Sequence, residues 1–278
     1  MNGDRRTEVV RQFYDRAPFP GYPPRDNLSA FRTRAERSRF AQMLDRSIAA
    51  DARIAEIGCG TGQMSLYLAR ADRVIIAADL SRAALALGAA AARRYRVDRV
   101  QFVESDLHRP GLKSGAFDVV YSSGVLHHTA DPRRAFAVVA QLARPGGVVI
   151  LGVYNAIARL PLRLRRGVAR CTGFRFVPFD PVLGERRHEP ARREAWLRDQ
   201  YQHPEEHRHT AAEIKAWFSE NEIEYLRTFP STVLERESGD LFAPAVDDWA
   251  IERWIAQLGW MWSLGGEGGL FFTIGRRR

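Results

Sequence analysis

The run Glu56-Ile57-Gly58-Cys59-Gly60-Thr61-Gly62 sits between a short apolar stretch, Arg53-Ile54-Ala55, and a helical pattern over residues 63–70. Glycine lets the backbone take positive φ and lets a ligand come close where a Cβ would clash. The helix that follows offers unpaired N–H groups at its start, which suits a nucleotide-like ligand. A second apolar run, Val74-Ile75-Ile76-Ala77-Ala78, ends about twenty residues later in Asp79 and Leu80. A carboxylate at that spacing can accept hydrogen bonds from ribose hydroxyls. Two adjacent histidines, His127 and His128, follow another apolar stretch, Phe117-Asp118-Val119-Val120. Imidazole is the side chain suited to removing a proton near neutral pH. A further polar cluster over residues 199–210 holds Tyr201, His203, His207 and His209.

Alternating elements must position these groups. The patterns predict strands near residues 53–57, 73–78, 100–104, 118–121, 148–153, 223–229 and 270–274, with helices over 81–94, 132–142 and 211–221 between them. Val148 to Val153 is almost wholly apolar, as a strand buried on both faces should be. The order predicts an α/β fold, a parallel sheet with helices on both faces. Ahead of it, an amphipathic helix over 4–17 is broken by Pro18-Phe19-Pro20-Gly21-Tyr22-Pro23-Pro24, and a second helix is expected over 30–48.

Gln63 stands where the dinucleotide fingerprint needs its third glycine, and Glu56 precedes the first. In this the chain resembles the class I, Rossmann-like S-adenosylmethionine-dependent methyltransferases, whose first motif reads E/D-x-G-x-G-x-G. The likeness continues in order through Asp79, Ser105-Asp106-Leu107, Phe117-Asp118-Val119-Val120, Gly124 to Pro132, and Arg144-Pro145-Gly146-Gly147. The resemblance implies a seven-stranded, mostly parallel Rossmann-like sheet and S-adenosylmethionine as cofactor. Glu56, Gly58, Cys59, Gly60, Gly62, Gln63, Asp79, Leu80, Ser105, Asp106, Leu107 and Ser122 would hold that cofactor. The segment holding His127 and His128 is similar to ubiquinone- and menaquinone-type methyltransferases, where His128 serves either as a base or as a loop brace. Residues 199–204, with Tyr154-Asn155 and the aromatic amino-terminal segment, resemble a bacterial methyltransferase group that brings no acceptor with it.

Relative to the minimal fold, residues 154–210 and 230–268 are insertions at the sheet edge where ligands bind. Residues 1–48 are read as a helical lid and 49–278 as the core, with Tyr14 facing the cofactor and Tyr22 the acceptor. Tyr154, Tyr201, His203 and His209 are expected to line the acceptor pocket, with Tyr201 and His203 also catalytic candidates. Thr210 is expected to cap the next helix. Arg159 could face an anionic acceptor or lie on a solvated face. Trp249, Trp254, Trp260 and Trp262 read as a helix packed on the core.

The chain has 278 residues, a net charge of +9 and two cysteines, Cys59 and Cys171. Two cysteines make no disulfide framework, and no membrane span or leader is visible, so a cytoplasmic protein is expected. The arginine clusters could attract nucleic acid, an anionic membrane surface or an acidic small substrate, and they are equally what a solvated face looks like. Ser122-Ser123-Gly124-Val125 replaces the Asn/Asp-Pro-Pro-aromatic motif of nucleic-acid amino methyltransferases, and neither cysteine follows a proline as a cytosine-C5 enzyme requires. Methyl transfer to a small molecule, an anionic one included, is therefore the leading expectation. An RNA such as tRNA, a protein or peptide, or a non-catalytic cofactor-binding module are the alternatives. The three histidines at 203, 207 and 209 match no strong metal pattern, so no metal is expected.

Overall fold

The computed structural model describes residues 3–278 apart from 17, 19, 24, 186–192, 195, 198–199, 202–205, 234–238, 246–248 and 265–268. Seven strands, β1 (Arg53–Ile57), β2 (Val74–Asp79), β3 (Val100–Glu104), β4 (Phe117–Ser123), β5 (Ala143–Tyr154), β6 (Ile223–Phe229) and β7 (Leu270–Arg277), form one sheet in the order β3-β2-β1-β4-β5-β7-β6. All neighbours are parallel except β7, which runs antiparallel to β5 and β6. The strand order reverses between β1 and β4, and open α/β sheets bind ligands in the crevice beyond such a reversal.

Successive residues of each strand feed opposite faces, so the sheet has two cores. Ile54, Val119, Val148 and Ile150 face one, and Ala55, Val120, Val149 and Leu151 the other. Helices α1 (Gly3–Arg16), α2 (Leu28–Ala35), α3 (Arg39–Ser47), α4 (Gln63–Leu68), α5 (Arg82–Tyr95) and α6 (Pro132–Ala140) precede β5. Helices α7 (Leu160–Cys171), α8 (Pro181–Glu185), α9 (Ala211–Glu220) and α10 (Ala250–Ser263) follow it.

The second amino-terminal helix expected over 30–48 is in fact two, because Ser38 accepts a hydrogen bond from the Ala41 N–H and restarts the chain as an N-cap. Phe31, Phe40 and Leu44 join the first core, and Phe40 stacks on Phe272 at 3.6 Å. These two helices therefore belong to the sheet's packing, and only α1 and the segment after it reach over the ligand crevice. Thr210 caps α9 as expected, accepting from the Glu213 N–H. The tryptophan stripe is corrected: Trp260 is buried, but Trp249, Trp254 and Trp262 are exposed. A polar contact sets that rotation, since Gln257 Oε1 accepts from Asn155 Nδ2 (2.8 Å) and the Ala211 N–H (3.1 Å). No helix among the described residues is long and apolar enough to cross a membrane.

Candidate active site

The turn after β1 carries Gly58, Gly60 and Gly62 at positive φ, all in the left-handed region. Gly58 and Cys59 donate their N–H groups to the Ala78 carbonyl at 2.7 and 3.0 Å, which ties the loop to the end of β2. Asp79 then accepts from the Gly60 N–H (2.7 Å) and the Ser81 N–H (2.8 Å), so one carboxylate organises the loop and the start of α5. A Cβ at Gly58 would lie 2.2 Å from Val125 Cγ2. Gly58→Ala should therefore cost roughly 3 kcal/mol through clash and left-handed strain, read as a lower midpoint in denaturant.

A cavity of about 460 Å³ opens at the β1/β4 reversal. At one end it is lined by Glu56, Gly58, Cys59, Gly60, Gln63, Asp79, Leu80, Ser105, Asp106 and Leu107, which the sequence marks as the nucleotide side. At the other end stand Tyr121, Ser123, His128, Tyr154, Trp196 and Gln200, with Tyr14 of α1 also on the wall. Burial raises the Glu56 carboxyl to about 7, against a hydrogen bond from Ser65 and with the Asp79 charge adding to the rise. Burial also raises Asp79, opposed by its backbone donors, and pushes the Cys59 thiol well up.

Four expected residues stand elsewhere. Ser122 is buried and donates to the Ile57 carbonyl, and its neighbour Ser123 takes the place on the wall. Gly62 caps α4 with its Cα against Phe102 and is not on the cavity wall. Tyr22 donates to the Thr61 carbonyl at 2.8 Å and packs on Phe31 and Tyr95, bracing the glycine loop from behind. His127 is fully buried with its ring 4.0 Å from Tyr154 and 4.2 Å from His128, a backing to the wall.

The end of the cavity where the sequence expects the acceptor differs most from that expectation. Tyr201 is buried and donates to Asp180 (2.6 Å), away from the cavity. Burial and the Asp180 charge raise its phenol. His209 is buried beside Trp217, with Nδ1 2.9 Å from Glu213, and its N–H donates to the Tyr154 carbonyl. It supports Tyr154 from outside the cavity, and burial lowers its imidazole. His203 lies outside the described residues.

Arg159 is neither solvated nor open to an acceptor. It is 1% exposed, pairs with Glu206 at 2.6 Å and donates to Gln200 at 2.8 Å. Its guanidinium lies 3.6 Å from the centre of the Tyr154 ring. Gln200 in turn donates to the Tyr154 hydroxyl at 2.8 Å. Arg166 also reaches Glu206 (2.6 Å), and the two guanidiniums hold that carboxyl below its usual range against the effect of burial. The network fixes Tyr154 in place. Tyr121, Ser123, Trp196 and Gln200 are wall residues that the sequence did not single out, and the last two carried a signal. Those two stand four apart, on one face at helical spacing, with Tyr201 turned off that face.

Residues 55–151 match the family model described as "Methyltransferase domain". An uncharacterized protein of Synechococcus sp. is 30% identical over 258 residues, 80% of this chain and 60% of that protein. A ubiquinone biosynthesis O-methyltransferase of Aromatoleum aromaticum is 35% identical over 109 residues, 37% of this chain and 44% of that enzyme. The chain thus spans about half the length of the curated relatives it matches. Magnesium protoporphyrin IX methyltransferase of Synechocystis, solved with bound S-adenosylhomocysteine, superposes with a TM-score of 0.57 at 15% identity, covering 98% of this chain and all of that one. That likeness carries the fold. With the glycine loop, Asp79 and the strand order already in register, residues 55–151 are a methyltransferase domain on the class I, Rossmann-like fold.

Proposed function

We propose that the chain binds S-adenosylmethionine and methylates a small, largely apolar acceptor. One observation carries the reading: the nucleotide end and the His128–Tyr154–Trp196 end belong to a single cavity. The fit to the cofactor rests on the loop backbone at Gly58 and Gly60, which admits close approach, and on the buried carboxylates of Asp79 and Glu56. Asp79 would take the ribose hydroxyls, and Leu80, Asp106 and Leu107 the adenine.

When bound, the cofactor supplies an electrophilic methyl group, so this chain has mainly to align the acceptor and exclude water. Tyr14 and Pro20 close one side of the cavity. Tyr154, held by Gln200 and Arg159, and the Trp196 ring form a planar, mostly apolar wall with few polar groups, the composition of small-molecule sites. The relative named for O-methylation supports an oxygen acceptor. His128, on the same wall, would then take the hydroxyl proton as the methyl group passes from sulfur to oxygen, its C–S bond breaking as the C–O bond forms. Arg159 is buried against Glu206 and is not on the cavity wall, so it offers an acceptor no direct contact.

Titration calorimetry with S-adenosylhomocysteine, followed by labelled-methyl transfer to a panel of phenols and other hydroxyl compounds, tests the reading. Absence of binding overturns it. His128→Ala should lower turnover by about a hundredfold with cofactor affinity unchanged. A full rate per folded molecule would reassign His128 to bracing the loop.

A further inference from the structure

Helix α7 turns Leu162 and Ala169 inward to a small cluster with Trp196 and Tyr201, and Trp196 is part of the cavity wall. Its outward side is not polar. Leu160, Leu164 and Val168, four residues apart, run along it, and Leu164 is 76% exposed. Arg163 and Arg170 are exposed beside them. Past the helix, Phe176 and Phe179 are also exposed, the latter at 94%. Next to them lies a groove of about 830 Å³ lined by apolar residues such as Phe174 and Leu183, two arginines, Arg175 and Arg193, and two carboxylates, Asp180, which is turned to Tyr201, and Glu194. Residues 160–179 contain five arginines and no acidic residue.

Contiguous exposed apolar side chains mark a surface that something covers. Which partner covers it is decided by the charge that surrounds them. An apolar stripe flanked by arginines is complementary to a bilayer with anionic headgroups, where the cations sit at headgroup level and the apolar side chains enter the acyl boundary. An RNA would engage the arginines and leave Leu164 and Phe179 in water, so the apolar half of the pattern favours lipid.

A second exposed stripe, Ile251, Ile255, Leu258 and Trp262, lies on α10. That helix leads into β7, whose first residue, Leu270, pairs with Tyr154 at the end of β5, close to where α7 begins. The start of α7 and the end of α10 therefore connect to the same strand ends.

We propose that α7 and residues 174–179 form a peripheral docking surface for a bilayer carrying anionic lipids. The inference is independent of the reaction. It is tested by floating the full chain with phosphatidylcholine vesicles, with and without phosphatidylglycerol. The chain should float with the anionic vesicles and sediment with the neutral ones. The double substitution Leu164→Glu and Phe179→Glu should reduce the vesicle-bound fraction about tenfold. Both residues are exposed, so its melting temperature should match the parent, which separates lost docking from lost folding.

A parent that floats with neither vesicle overturns the proposal. So does undiminished flotation of the double variant, or a short RNA that binds parent and double variant equally and displaces the parent from vesicles. Either of the last two results would make the site one for polyanions. Self-association through α10 without flotation would overturn it as well.

Discussion

Replacing Glu56 by Gln should flatten the pH dependence of the ligand-free protein's stability and leave the variant more stable at about pH 8 by on the order of 3 kcal/mol. Glu56 is buried at the end of β1, where lost hydration raises its carboxyl from 4.5 to about 7, only partly offset by the Ser65 hydroxyl. Between those values the folded chain keeps a proton that the unfolded chain releases. Its contribution to stability is therefore complete below 4.5 and lost as pH rises through about 7. Asp26, Asp118 and Glu206 are shifted the other way and make the fold more stable as pH rises. Comparing parent and variant at each pH isolates Glu56. Urea unfolding from about pH 5 to about pH 8 measures the difference, and parallel curves for the two proteins would reject the assignment. A cationic ligand in the cavity favours the ionised carboxyl, so the parent should bind S-adenosylmethionine more tightly above pH 7 while the variant shows little change.

Asp79→Ala should weaken S-adenosylhomocysteine binding by about 1.5–3 kcal/mol, roughly ten- to a hundredfold. Hydrogen bonds to a charged acceptor are the direct loss. Loop geometry is the indirect one, because the Gly60 and Ser81 N–H groups both lose their acceptor. Asp79→Asn separates the two, since an amide oxygen keeps one acceptor without the charge. Calorimetry showing equal affinity for parent and Asp79→Ala would remove Asp79 from the site.

The nucleotide half of the cavity was legible in the sequence because it is local. Glu56 to Gln63 lie on one strand-turn-helix unit, Asp79 ends the adjacent strand, and both are framed by apolar runs that declare their strands. The acceptor half was not, because it is assembled from distant partners. Nothing near Arg159 announces that it will pair with Glu206, forty-seven residues on. In the cluster over 199–210, Tyr201 looked the more chemical residue, yet a single step along the chain decides that Gln200 meets Tyr154 while Tyr201 meets Asp180. Helix α10 misled in the same way. Its apolar spacing is plain, but its rotation is set by Gln257, whose partners Asn155 and Ala211 lie in other elements.

The Tyr154 wall is braced mainly from within residues 154–210, by Arg159, Arg166, Gln200 and Glu206, while the hydrogen bonds of the glycine loop run to β2, through Asp79 to the start of α5, and to the amino-terminal segment. Under the proposed function, this leaves the two halves free to vary separately. Mutations in the insertion can change what enters the cavity without disturbing the loop. Tyr154, the last residue of β5 and the one ring that the whole brace holds, is the joint at which a lineage exchanging acceptors must keep the two halves in agreement.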